Sequence, residues 1–166
     1  MGPPLLLPPE LNESVTRIRT SGAGARLEGP VLVLRPRVKW LSDECARPEG
    51  SPFLAALGEA RLEARELAYS SEEADGEVLP LLREGTAPGA FLLATHDAQR
   101  KPAVARLALE LAGKAPLFHL ALGTPRDLEA VPREASVATF GCGWESVAEG
   151  VRVLAGLVKP RAKLLT

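Results

Sequence analysis

The sequence predicts an α/β fold in a single domain, residues 1–166: a three-layer sandwich with a mostly parallel, five- or six-stranded sheet of flavodoxin-like type. Short apolar runs alternate along the chain with Ala/Leu/Glu/Arg segments of helical period, which is the pattern of βα units. The apolar runs are nearly continuous rather than alternating, as in strands that helices cover on both faces. No internal repeat or linker interrupts this order.

Length and composition agree with one globular domain. The chain has 166 residues, of which 46% are hydrophobic and 25% charged, values typical of a soluble domain with one core. A (β/α)₈ barrel needs about 200 residues or more, so the length excludes one.

The strands are predicted from the apolar runs in chain order. The four clearest are Val31–Leu34, Ala90–Thr95, Leu117–Leu122 and Ser136–Phe140. Charged residues interrupt Glu63–Tyr69, which predicts an edge strand, and Val15–Ile18 is a further candidate near the N-terminus. The clear strands are expected to lie at the centre of the sheet.

The helices are predicted between the strands. Ser51-Pro52 is an N-cap followed by proline at the first helical position, and predicts a helix to about Ala60. Pro80 is expected to kink or end a second helix. The predicted helices are 51–60, 73–83, 101–112, 126–131 and 145–157. In the last of these, Val147, Val151 and Leu154 are expected to face the core.

Composition also excludes several function classes. Twenty basic residues balance 21 acidic ones, so there is no basic excess for nucleic acid. No apolar run is long enough to span a membrane, and the N-terminus lacks signal-peptide features, so we expect a cytoplasmic protein. Cys45 and Cys142 are far apart with no metal-ligand spacing, which predicts free thiols and no metal site. The scarcity of Asn, Gln and Met beside 15 prolines fits a thermophile, although high-GC codon usage leaves a similar pattern.

Candidate ligand-binding residues follow the predicted strands, because the carboxyl ends of parallel strands open into one crevice. Those residues are Thr95, His96, Asp97, Thr124, Asp127, Cys142 and Trp144. None is assigned a catalytic role. No glycine-rich nucleotide-binding motif occurs, so no cofactor is expected.

Each candidate has a structural alternative. His96-Asp97 has the composition of an acid/base pair, but a role in ending the strand is the competing interpretation. The turn at 141–145 places Cys142 before a helix, where a thiol is reactive if its pKa is lowered, or serves only to connect strand and helix. His119 lies inside an apolar strand and is interpreted as a core histidine. Arg35 and Arg37 flank a proline after a strand, as anion ligands or as a solvated loop.

The order of these segments resembles the C-terminal domain of family 3 glycoside hydrolases, in the β-N-acetylhexosaminidase-like branch. The resemblance rests on a strand and turn at Ala90–Ala98, a Gly113–Pro116 step, a second strand and turn at His119–Leu128, and the closing segments Arg152–Gly156 and Pro160–Leu164. It covers nearly the whole chain. This chain departs from the family pattern at 141–144, where Gly-Cys-Gly-Trp replaces a Tyr-Gly-x-Thr-like turn.

The resemblance implies a domain without the main chemistry, because in that branch the nucleophile and the acid/base belong to a separate barrel. We therefore expect an accessory domain that packs against a catalytic barrel, or that pairs with a second copy, and is not hydrolytic alone. The alternative is a stand-alone sugar or small-molecule binding module that uses the strand-end crevice, where Trp144 would stack on a sugar ring. An enzyme that depends on Cys142 is a third hypothesis.

Overall fold

The computed structural model describes residues 27–37, 50–83, 85, 87–122, 127 and 143–157, and the backbone of 15–20 and 135–139. Of the predicted elements, helix 126–131 apart from Asp127, the turn at 141–142 and the C-terminal tail 159–166 lie outside these residues. Leu157 is the last residue described.

Six strands occur in the described residues. They are β1 Val15–Thr20, β2 Val31–Pro36, β3 Ala64–Tyr69, β4 Ala90–Thr95, β5 Leu117–Leu122 and β6 Ala135–Thr139. The bounds of β4 and β5 are those predicted from the sequence, because both strands are buried along their whole length and each apolar run ends where the strand ends.

The strands form one sheet in the order β1-β6-β5-β4-β2-β3. Neighbours from β3 to β6 pair in parallel, and β1 pairs with β6 antiparallel. The prediction of an α/β fold with a mostly parallel sheet is confirmed. β3 lies at one edge, where Arg65 and Glu66 meet solvent more readily than they would at the centre of the sheet.

Four α-helices occur in the described residues, three between successive strands and the fourth after β6. They are α1 Pro52–Glu59, α2 Ala74–Arg83, α3 Pro102–Ala112 and α4 Trp144–Leu154, with short 3₁₀ turns at Ser71–Glu73 and Ala98–Arg100. The predicted start of α1 is confirmed, because the Ser51 hydroxyl accepts hydrogen bonds from the backbone N–H groups of Phe53 and Leu54. That cap satisfies two amides that have no partner within the helix.

The second helix continues past the residue expected to disturb it. Pro80 lies inside α2, which ends three residues later at Arg83, so the expected termination at Pro80 does not occur. Ala74 and Val78 of α2 are buried against the sheet. Their packing holds the helix together despite the backbone hydrogen bond that proline cannot make.

The helices cover both faces of the sheet. Successive residues of β2 and β4 alternate between two cores: Val33 and Leu92 pack with α1 and α4, and Leu34 and Leu93 pack with α2 and α3. This alternation is the period-2 geometry of a strand. The described elements therefore form three layers, with the sheet between α1 and α4 on one face and α2 and α3 on the other. In α4, Val147, Val151 and Leu154 are buried as predicted.

Candidate functional site

The candidate site lies at the carboxyl edge of the central strands. Thr95 is the last residue of β4, and Asp127 follows the end of β5 by five residues. The two strands are parallel neighbours, so their carboxyl ends open on the same side of the sheet. The side chains of both residues are fully buried, with 0% exposure.

Three side chains form a continuous hydrogen-bonded chain there. The Thr95 hydroxyl donates to Asp127 Oδ2 at 2.8 Å, and Thr95 Oγ1 also lies 2.8 Å from His119 Nε2. A hydroxyl has one proton to donate. Because that proton goes to Asp127, the Nε2–H of His119 must be the donor to Thr95.

The Asp127 carboxylate is also held by the backbone. The N–H of Ala98 donates to Oδ2 at 2.9 Å and the N–H of Gln99 donates to Oδ1 at 3.4 Å. These two amides begin the 3₁₀ turn that leads from β4 into α3. Asp127 therefore joins the end of β5 to the turn after β4, and its buried charge is balanced by hydrogen-bond donors.

Tyr69, at the end of the edge strand β3, reaches β4 across the end of β2. Its hydroxyl donates to the carbonyl of Ala94 at 2.6 Å. Burial raises the pKa of the Tyr69 phenol, and the negative charge of Asp127 raises it further. The raised pKa favours the protonated phenol, which is the form that donates the hydrogen bond to Ala94.

His96 and Asp97 follow Thr95 and are half-buried. Asp97 has a left-handed backbone, with φ 62° and ψ 37°, a conformation that aspartate tolerates better than most residues. The Asp97 carboxylate accepts from the side-chain amide of Gln99 at 3.4 Å and lies 3.8 Å from Arg100. Of the candidates whose side chains are described, these two are the ones that solvent reaches.

Arg35, near the end of β2, and Arg37, just after it, are both paired with glutamates. Arg35 pairs with Glu66 of β3, and one guanidinium nitrogen of Arg37 donates to both carboxylate oxygens of Glu77 at 3.0 and 3.1 Å. Glu77 also accepts from the backbone N–H of Ser70 at 3.0 Å. These ion pairs thus connect the end of β2 to β3 and α2. They give both arginines a structural role that requires no anionic ligand.

The remaining candidates lie at the start of α4. Trp144 is the first residue of that helix and is only 7% exposed, within the core shared with α1. Thr124 and Cys142 lie outside the described residues. The structure thus brings Thr95 and Asp127 together and places His96 and Asp97 beside them.

The chemistry open to this cluster is limited by burial. Cleavage of a glycoside by two carboxylates needs both groups at the substrate, about 5 to 10 Å apart. Asp127 is inaccessible and its oxygens already accept three hydrogen bonds. Within the described ranges, no group of three or more His, Cys, Asp or Glu side chains is arranged to hold a metal ion. In the same residues, no helix is long and apolar enough to cross a membrane.

Two members of the cluster were not among the candidates predicted from the sequence. His119 was assigned to the core, and it is indeed buried, yet it is also bonded to Thr95. Tyr69 was assigned only to an edge strand. The available signal was a polar residue inside the otherwise apolar run Leu117–Leu122, because a buried imidazole needs a hydrogen-bonding partner.

Comparison by sequence gave no relatives: no protein-family model matches the chain, and no curated protein matches it. Solved structures do match it by fold. A glycoside hydrolase family 3 β-N-acetylglucosaminidase from Paenibacillus sp. str. FPU-7 superposes with a TM-score of 0.71 at 22% identity, over 92% of this chain and 30% of that one.

Two further structures match in the same way. A fungal multi-domain family 3 β-N-acetylglucosaminidase that has a GCN5-related glucosamine N-acetyltransferase region gives a TM-score of 0.64 at 20% identity, over 91% of this chain and 17% of that one. The β-N-acetylglucosaminidase from Thermotoga maritima gives 0.51 at 12% identity, over 86% and 29%. This chain therefore spans less than a third of each of these enzymes. The resemblance predicted from the sequence is confirmed at the level of the fold.

Proposed function

We propose that this chain is the accessory domain of a β-N-acetylhexosaminidase-like glycoside hydrolase whose catalytic barrel is a separate domain. The observation that carries the proposal is the extent of the structural match, which takes in 92% of this chain but 30% of the Paenibacillus enzyme. Most of the chain thus corresponds to one part of such an enzyme. Its role would be to pack against the barrel and help to shape the sugar-binding cleft.

The geometry of the carboxyl edge supports a non-catalytic role. Thr95, His119 and Asp127 satisfy one another in the core, where no substrate reaches them. Asp97 is the carboxylate that remains accessible among the described candidates, and one carboxylate does not make the pair that hydrolysis requires. The chemistry would thus come from the barrel.

The order of the parallel strands supports a flavodoxin-like domain. Counted from β2, the five parallel strands lie in the order 2-1-3-4-5, which is that of flavodoxin-like proteins. We propose that residues 1–166 form one such domain, with β1 added at an edge. Cytoplasmic location and a thermophilic source stay predictions from composition.

Proteins from cells of the source organism provide the test. Antibodies raised against this chain would detect it either as a segment of a longer polypeptide or in a complex, and affinity capture with mass spectrometry would identify what accompanies it. We expect a (β/α)₈ barrel of the glycoside hydrolase type, on the same polypeptide or in about equal amount, and hydrolysis of p-nitrophenyl N-acetyl-β-D-glucosaminide by the captured material. Capture of the chain alone, without a barrel or hydrolysis, would contradict the proposal.

A second function, a stand-alone sugar-binding module, is favoured by one observation: His96 and Asp97 stay accessible at the carboxyl edge, on a turn with a left-handed residue. Addition of N-acetylglucosamine or peptidoglycan fragments would then raise the unfolding temperature of the purified chain. The Asp97→Asn variant would lose that increase. No shift with any of these ligands would favour the accessory role.

A further inference from the structure

A crevice opens at the amino edge of the sheet, on the side opposite to Thr95 and Asp127. Its floor is formed by Leu32 and Phe91, the second residues of β2 and β4, and its wall by the last turn of α2, including Leu81. The cavity has a volume of about 420 Å³, within the range of roughly 300 to 1,000 Å³ that small-molecule sites occupy.

The crevice is apolar at its floor and positively charged at its rim. Leu32 and Phe91 are each 1% exposed, whereas Leu81 is 56% exposed and reaches the opening. Arg65, Arg83 and Lys114 also line it. These three cations come from β3, from the end of α2 and from the turn after α3.

The sheet register explains how a cation comes to stand beside the apolar floor. Arg65 is paired with Leu32 in the β2–β3 ladder, and Leu32 is paired with Phe91 in the β2–β4 ladder. Paired residues of neighbouring strands point to the same face. In the row of paired residues Phe91, Leu32 and Arg65, the first two are therefore in the core and Arg65 is on the edge strand. At this position helices α2 and α3 do not cover the amino end of the sheet.

The positive charges of these three side chains are not paired with a negative charge in the described part of the chain. Arg65, Arg83 and Lys114 make no ion pair or side-chain hydrogen bond with the residues described there. None of the described residues that line the cavity is acidic. Glu63 lines a smaller neighbouring groove that shares Arg65.

Helix-dipole stabilisation explains part of this arrangement but not all of it. Arg83 and Lys114 lie at helix C-termini, where cations are favourable. Arg65 lies in a strand, so that reason does not apply to it, and the dipole does not require an apolar cavity between the three charges. A ligand with an apolar body and an anionic head would satisfy both the floor and the rim.

We propose that this crevice binds an amphipathic anion, an aromatic or aliphatic body that lies on Leu32 and Phe91 with a carboxylate or phosphate head held by Arg65, Arg83 and Lys114. The inference is independent of the accessory role proposed above, because the crevice lies at the other edge of the sheet from the candidate site.

Three naphthalene probes separate the contributions of body and head. 1-Naphthylacetate and 1-naphthyl phosphate have the two kinds of anionic head, and 1-naphthaleneethanol is the neutral analogue. Binding to the full chain would be measured by calorimetry and located by amide chemical shifts. We expect at least one anion to bind at least tenfold more tightly than the alcohol and to shift the amides of Leu32, Gly85 and Phe91; the anion that binds more tightly identifies the head.

Charge-matched variants test the rim. The variant Arg65→Gln/Arg83→Gln/Lys114→Gln should weaken binding of the anion at least tenfold. A control, Arg61→Gln/Arg100→Gln/Arg106→Gln, removes the same charge from exposed positions that do not line the cavity, and should change binding less than threefold.

All of the substituted side chains are exposed, so circular dichroism should show that both variants fold. Equal binding of the anions and the alcohol would overturn the proposal. So would an equal loss in both triple variants, or no saturable binding of any probe.

Discussion

The hydroxyl of Thr95 donates to the carboxylate of Asp127 at 2.8 Å across 32 residues of sequence, and both side chains are completely buried. This bond connects the end of β4 to the segment after β5. The polar groups of Thr95 and Asp127 at this edge of the sheet are thus bonded to groups of the protein itself, and substitution of either residue should lower stability.

Replacement of Asp127 by asparagine should destabilise the fold. The amide keeps the shape of the carboxylate but turns one acceptor into a donor, which faces either the donors of Thr95 and Ala98 or, in the other orientation of the amide, the N–H of Gln99. We expect a loss of about 2–4 kcal/mol in the free energy of unfolding, measured by urea denaturation. Asp97→Asn, the half-buried control, should lose less than about 1 kcal/mol. Equal effects of the two substitutions would show that Asp127 is not the buried acceptor described here.

Replacement of Thr95 by valine tests the hydroxyl alone. Valine has nearly the same volume but leaves both Asp127 Oδ2 and His119 Nε2–H without the group between them. The expected loss is about 1–3 kcal/mol. Thr95→Ser keeps the hydroxyl and should recover most of the loss, apart from about 0.8 kcal/mol for the missing methyl group. A serine variant as unstable as the valine variant would refute the role of the hydroxyl.

Replacement of Pro80 by alanine should stabilise the protein. Pro80 is exposed and lies inside α2, where proline cannot donate to the carbonyl of Gly76 and crowds it. Restoration of that bond should raise the free energy of unfolding by about 1–2 kcal/mol, after the greater freedom of alanine in the unfolded chain is subtracted. Alanine at exposed Glu73, just before α2, is the control and should change stability little. A less stable Pro80→Ala variant would contradict the helix geometry.

The ion pair between α1 and α4 should make stability depend on pH. Arg152 donates to both carboxylate oxygens of Glu59 at 3.0 and 3.1 Å, and this bond lowers the pKa of Glu59 from its ordinary value of 4.5. A lowered pKa in the folded state gives stability that is present above about pH 4.5 and is lost as the pH falls through the lowered value.

Because Glu59 is half-exposed, a double-mutant cycle of Glu59→Gln and Arg152→Gln should give a coupling of about 0.2–1 kcal/mol at pH 7 and low salt. The coupling should shrink at pH 3 and in 1 M NaCl. A coupling that is unchanged at pH 3 would show that the charge of Glu59 does not contribute.

The interior of the fold was predictable because burial leaves a direct pattern in the sequence. Ala90–Thr95 and Leu117–Leu122 are apolar except for Thr95 and His119 and are buried along their whole length, so their bounds could be given correctly. The cap at Ser51 has a local cause in the hydroxyl and the proline that follows. The helix predicted over 73–83 is present, but it does not end at Pro80, because the packing of Ala74 and Val78 with the sheet is a tertiary effect that a local pattern does not contain.

The candidate site was predictable in position but not in orientation. Parallel strands place Thr95 and Asp127 at one edge, and the structure puts them in contact. Which way Asp127 points depends on donors from Thr95, Ala98 and Gln99, which are distant in sequence. Only the assembled sheet brings those donors together.

The accessory role proposed above requires that this chain does not perform the hydrolysis itself. The direct test is the release of p-nitrophenol from p-nitrophenyl N-acetyl-β-D-glucosaminide by the purified chain alone. We expect the purified chain to release p-nitrophenol no faster than buffer does. Hydrolysis that follows the chain through successive purification steps and is abolished by Asp97→Asn would contradict it.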